Sequence, residues 1–222
     1  MLAFASVVID VDSTLSGIEG IDFLAARRSK DVEATIVALT DRAMRGDVAL
    51  EAVYGVRLTI IRPTRADVAA LAEAYQSAIA PGAAEAIAAM RRAGARLTLV
   101  SGGVREAIVP MARALGFADD ELHAVALTFD EHGNYLSFDE HSPLTTQRGK
   151  PEVVKNLIAD RRLPRRVLAV GDGATDVLLQ GVADVFAVFT AFASRPSVVA
   201  QADVEIASFA ELERVVREGS RG

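Results

Sequence analysis

The sequence has no cysteine and no tryptophan, and only 5% of its 222 residues are aromatic. Without cysteine there is no disulfide, no thiolate nucleophile and no thiolate-bound zinc. Three scattered histidines add little, so the metal chemistry left open is that of hard cations on oxygen ligands. With few aromatics, the interior must be packed from Ala, Val, Leu and Ile, as in layered α/β proteins. Hydrophobic residues make up 51% of the chain, enough for one compact domain or a core carrying a smaller insertion. Positive charge is also short, with a formal net charge of −6. Nucleic-acid backbones demand clustered Lys and Arg, so no such partner is expected. The runs Arg161-Arg162 and Arg165-Arg166 are too brief to change this and read as solvated segments. The opening MLAFASVVID lacks a basic leader and its apolar run stops at Asp10, which fits neither a signal peptide nor a membrane span. The expectation is a cytoplasmic monomer or homodimer without membrane contact.

What is present alternates. Apolar, β-branched runs at Ala3 to Ile9, Arg96 to Val100, Val167 to Val170 and Asp184 to Phe189, with a weaker one at Val204 to Ala207, read as buried strands. Helical patterns lie between them at Ala83 to Arg92, Glu106 to Leu115 and Glu152 to Asp160, the last with Pro151 at its first position. This predicts an α/β fold with a doubly wound, mostly parallel sheet. Two stretches break the alternation. Residues 16–79 carry helical apolar spacing at Ile18, Ile21, Leu24 and Ala25, at Ile36, Leu39, Ala43 and Met44, and at Val68, Leu71 and Tyr75. They read as a small helical cap inserted into a core of residues 1–15 and 80–222. Ala124 to Phe138 reads as a hairpin turning at His132-Gly133-Asn134.

In an open parallel sheet, ligands collect at the carboxyl ends of the strands. There the first run delivers Asp10, Asp12 and Thr14, the second Ser101-Gly102-Gly103, and the third Gly171-Asp172-Gly173 followed by Asp176. The two-residue spacing puts Asp10 and Asp12 on one side of an extended segment. One carboxylate can then take a phosphoryl group while the other protonates the departing alkoxide and later deprotonates water. Asp172 and Asp176, spaced to stack over one helical turn, can help to hold magnesium, which takes one or two carboxylates plus substrate phosphate. The Ser101 hydroxyl and the main-chain N–H groups beside it can cradle phosphate oxygens, and Lys150 can add a positive charge.

Together, and in this order, the segments DVDST, SGG, GK and GDGATD resemble the motifs of the haloacid dehalogenase superfamily, and the whole chain is similar to its phosphoserine phosphatase family. The resemblance implies a Rossmann-like core and a hydrolase that releases L-serine, the final step of its biosynthesis. It implies that Asp10 is the nucleophile, Asp12 the acid and base, and Ser101, Gly102, Lys150 and Thr175 the phosphate-binding groups. It further implies Mg²⁺ on Asp10, the Asp12 carbonyl and Asp172, with Asp176 orienting metal waters or Lys150. In IEGIDFLA, Glu19 would read the substrate amine; Arg57 would receive its carboxylate, with Met44 and Leu50 as apolar contacts. Two features depart from the family: the loop TAFASR at 190–195 lacks glycines common in bacterial relatives, and Pro110 is expected to kink or restart its helix.

Two other readings of the same residues stand beside this one. A phosphotransferase or phosphatase for another small phosphomonoester would use the same core acids. A receiver module of signalling proteins also carries a phosphorylatable Asp at a strand end, but Asp12 and the long helical insertion favour turnover.

Overall fold

Val7, Val8 and Ile9 lose essentially all solvent contact, which is worth about 2 kcal/mol for each such side chain. They belong to β1 (Ser6–Ile9), buried on both faces at the middle of the molecule. The computed structural model describes residues 2–44 and 50–219, and side chains within 40–50 lie outside the described part. After β1 come four helices, α1 (Gly20–Ala26), α2 (Lys30–Met44), α3 (Leu50–Ile61) and α4 (Arg65–Ser77). The chain then alternates through α5 (Ala83–Arg92), β2 (Arg96–Val104), α6 (Arg105–Ala114) and β3 (Leu122–Val125). A hairpin of β4 (Leu127–Phe129) and β5 (Tyr135–Phe138) follows, then α7 (Gly149–Ala159), β6 (Val167–Gly171) and the short α8 (Ala174–Val177). The chain closes with β7 (Val185–Phe189), α9 (Pro196–Val199), β8 (Val204–Ile206) and α10 (Phe209–Glu218).

The main sheet has six strands in the order β3-β2-β1-β6-β7-β8, and every pairing is parallel. Strand order reverses at β1, between β2 on one side and β6 on the other, so a crevice opens above the carboxyl end of β1. Helix α10 shows why such elements pack. Phe209, Leu212, Val215 and Val216 form one buried stripe, and the Ser208 side chain caps its start by accepting from the Glu211 N–H.

The helices of residues 16–79 leave and rejoin the sheet at one place. Ser16 pairs with Ile79, and the Ala80 N–H donates to the Leu15 carbonyl. Thr64 and Asp67 form a reciprocal capping box at the start of α4. Asp67 also accepts from Arg27 at 3.1 Å and Arg28 at 2.5 Å, which fastens the end of α1 to the start of α4. Burial alone would raise the pKa of Asp67, but these donors outweigh it and hold the group well below the usual carboxylate range.

Several sequence expectations need correction. The helix expected from Glu152 begins at Gly149, so Lys150 lies in its first turn and Pro151 follows it rather than opening the helix. Proline is tolerated there because first-turn N–H groups have no helical partner. Pro110 does not restart α6, which runs unbroken from Arg105 to Ala114 with Ala107, Ile108, Met111 and Ala112 buried around it. The stretch AVALTF is divided: Ala124 and Val125 end β3 in the main sheet, and the hairpin strand starts only at Leu127. Helix α3 was not separately expected, because its apolar residues fall on every side and leave no stripe to detect.

Candidate active site

Asp10 follows β1 directly and is 6% exposed. Lys150, at the start of α7, reaches it from the side, with Nζ 2.8 Å from Asp10 Oδ1 and 2.7 Å from Asp176 Oδ1. Asp176 lies within α8, but its carboxylate turns back: Oδ2 accepts from the Gly173 N–H at 3.1 Å. It therefore does not stack with Asp172 along a helix as the spacing suggested, since Asp172 precedes α8. Gly171 makes this approach possible. A Cβ there would stand 2.2 Å from the Asp176 carboxyl carbon, so any side chain would displace the acid.

The Ser101-Gly102-Gly103 tripeptide lies inside β2 but outside regular pairing. Between Val100 and Val104 the register slips, with His123 and Val125 as their partners on β3. That irregularity lifts the tripeptide toward the crevice just before α6 begins. The Ser101 Oγ accepts from the Gly103 N–H at 3.0 Å, so its proton remains available to a ligand. Tyr54 of α3 donates to the Gly102 carbonyl at 2.8 Å and ties the helical segment to this loop.

Asp12 turns both oxygens to fixed donors. Tyr75 Oη donates to Oδ1 at 2.6 Å, and the Gly20 N–H donates to Oδ2 at 3.0 Å. Glu19 accepts from the Ser13 hydroxyl at 2.6 Å and from Arg195 at 3.2 Å. Arg195 also ion-pairs with Asp172 and donates to its carbonyl. Arg57 lies 5.8 Å over the Tyr54 ring. Asp10, Asp12, Glu19, Arg57, Ser101 and Asp172 line one cavity of about 300 Å³, which Gly102, Lys150, Thr175 and Asp176 also border.

Negative charge is crowded here. Burial, and then the charge of Asp176, push Asp10 up to about 8 despite the opposing Lys150. Burial and Glu19 push Asp12 up to about 6, against the donors Tyr75 and Gly20. Lys150 moves the other way: burial opposes its charge, but Asp10 and Asp176 outweigh it and raise its pKa. One oxygen from each of Asp10, Asp172 and Asp176 falls within 4.8 Å of the others, and all three residues are buried. Three buried hard oxygen donors this close together, with only Lys150 and Arg195 set against them, fit a small divalent cation.

The family model described as haloacid dehalogenase-like hydrolase matches residues 7–179. The chain belongs to the haloacid dehalogenase-like hydrolases. Within them it falls in the phosphoserine phosphatase family. It is 33% identical to the phosphoserine phosphatase of Homo sapiens over 207 residues, covering 93% of this chain and 91% of that one. It is 34% identical to the chloroplastic phosphoserine phosphatase of Arabidopsis thaliana over 209 residues, covering 93% and 70%. Solved structures share the fold. A phosphoserine phosphohydrolase-like protein from Francisella tularensis superposes with a TM-score of 0.83 at 24% identity, covering 95% of this chain and 99% of that one. A phosphoserine phosphatase in a form described as a phospho-aspartyl intermediate analogue gives 0.78 at 24% identity, covering 96% and 99%.

For this haloacid dehalogenase-like hydrolase, ten residues expected from sequence border one cavity: the six that line it and the four beside them. Met44 and Leu50 end α2 and begin α3, and their side chains lie outside the described residues. Sequence reasoning missed Tyr54, Tyr75 and Arg195. Tyr75 stood in the apolar stripe of its helix, where nothing marks a hydroxyl as bound for an acid far back in the chain. Arg195 ends the TAFASR loop, already singular for its lack of glycine.

Proposed function

We propose that this protein hydrolyses O-phospho-L-serine to L-serine and phosphate, with magnesium and through an aspartyl-phosphate on Asp10, as the final step of serine biosynthesis. The observation that carries the proposal is a single cavity lined by Asp10, Asp12 and Lys150 together with two opposite charges, Glu19 and Arg57. Phosphoserine carries a phosphate, an ammonium and a carboxylate, and this cavity has a counterpart for each. An Arg fork can meet a carboxylate through two parallel hydrogen bonds.

In the proposed reaction the Asp10 carboxylate attacks phosphorus as the bond to the serine oxygen breaks, and Asp12 gives its proton to that oxygen. Asp12 then takes a proton from water, whose oxygen attacks phosphorus and releases phosphate from Asp10. A carboxyl whose pKa lies near 6 can serve in both directions close to neutrality. Ser101, Gly102, Lys150 and Thr175 hold phosphoryl oxygens, and Asp176 keeps Lys150 in place. Magnesium would rest on Asp10, Asp172 and the Asp12 carbonyl, offsetting the charge of acids and phosphate. Residues 16–79 act as a cap over the core of residues 1–15 and 80–222, with Met44 and Leu50 as apolar contacts. A cytoplasmic setting belongs to the same proposal, because the substrate is a small charged metabolite.

Arg57→Ala tests the substrate assignment. The KM for phosphoserine is expected to rise about tenfold or more, while that for phosphoethanolamine, which lacks the carboxylate, stays within about twofold. An equal rise for both in steady-state assays would make Arg57 structural.

A further inference from the structure

We propose that Tyr75 is a positioning residue for Asp12: with the main-chain N–H of Gly20, its hydroxyl fixes the carboxyl in the attitude needed to hand a proton to the leaving oxygen. This rests on the phosphatase reading above and adds a residue to it. Tyr75 is fully buried in α4, and a buried hydroxyl requires a partner. It finds Asp12 Oδ1 at 2.6 Å, at the short end for such a bond, as expected when the acceptor is charged. Gly20 takes the other oxygen at 3.0 Å. A carboxyl held at both oxygens, by donors from two different helices, cannot rotate about its own axis without breaking one bond.

Gly20 serves the same arrangement sterically. A Cβ on it would come within 2.2 Å of Tyr75 Oη and 3.5 Å of Asp12 Oδ2. Gly103 is also close, where a Cβ would stand 3.3 Å from Tyr75 Oη. The hydroxyl is thus seated in a space that two glycines leave open, between the acid and the Ser101-Gly102-Gly103 loop. Its backbone is anchored as well, since the Ser16 hydroxyl donates to the Tyr75 carbonyl at 3.1 Å. The consequence is a division of labour: the helical segment that faces the substrate also aims the proton-transfer group.

Proton delivery matters most when the leaving group is a poor one, which gives the test its readout. The ratio of kcat/KM for phosphoserine to that for para-nitrophenyl phosphate is compared in wild type, Tyr75→Phe, Gly20→Ala and the double variant. Because each ratio comes from one protein sample, a reduced folded fraction cancels. In Tyr75→Phe the ratio should fall about 10- to 100-fold, the value of one hydrogen bond to a charged group. Gly20→Ala should also lower it by displacing the hydroxyl. The double variant should be no worse than the poorer single, since removing the hydroxyl leaves room for the new methyl. An unchanged ratio in Tyr75→Phe, with or without a general loss of rate, would overturn the proposal. If the wild type were to prefer another alkyl phosphate over phosphoserine, the substrate assignment would fail, and that alkyl phosphate would replace phosphoserine in the same ratio.

Discussion

Asp10→Asn is expected to abolish phosphate release, by about 10⁴-fold or more, while the protein stays folded. The amide matches the carboxylate in volume but is not a nucleophile, and Asp10 is the carboxylate that directly follows β1, with Lys150 at 2.8 Å. A second result should accompany the first. Because Asp10 is pushed up to about 8 in the folded protein, against an ordinary value of 3.8, the native state binds a proton there that the unfolded chain has lost. Stability must therefore fall as pH rises between roughly 4 and 8, and this contribution stops changing above that. His123, whose pKa burial lowers, acts in the opposite sense below its ordinary 6.5, but it does so equally in both proteins. In chelator, the melting temperature of wild type should drop more steeply from pH 5 to 8 than that of Asp10→Asn. Parallel slopes would show that Asp10 is not held in its raised state by this fold.

Lys150→Met should lower kcat by about 10²- to 10³-fold, a loss typical of removing one preorganised charge from a transition state. The variant keeps an unbranched apolar stem in a site that is 7% exposed, so packing changes little. What changes is the charge between Asp10 and Asp176, both of which lose their cation. Asp10 is then driven further toward its neutral form, which cannot attack phosphorus. A kcat within about threefold of wild type would place Lys150 outside the reaction.

Most residues of the central cluster were legible because they belong to short motifs at strand ends, and Lys150 because its GK segment opens the helix leading into β6. Strand ends are set by local pattern, and parallel topology brings them together. Asp10, Ser101, Asp172 and Asp176 could therefore be grouped without knowing any contact. Residues that act through distant partners were not legible in the same way. Tyr75 fits the core stripe of α4, and only the close approach of α1 through Gly20 turns it into a donor for Asp12. Arg195 reaches Glu19 and Asp172 from a loop of no regular period. Among the elements, α3 was hidden by its apolar residues facing all ways. Strand β3, with sequence LHAV, was hidden because it is a short edge strand carrying a half-buried histidine. Pro110 misled for a different reason: it removes one helical hydrogen bond, but the buried residues on either side of it keep α6 continuous.

The most direct test of the whole account is phosphate release from L-phosphoserine, measured with magnesium and with EDTA beside phosphothreonine, phosphoethanolamine and para-nitrophenyl phosphate. Magnesium-dependent turnover with the highest kcat/KM for phosphoserine is expected, and none in EDTA. Turnover undiminished by EDTA, or a preference for substrates lacking the amine and carboxylate, would contradict it.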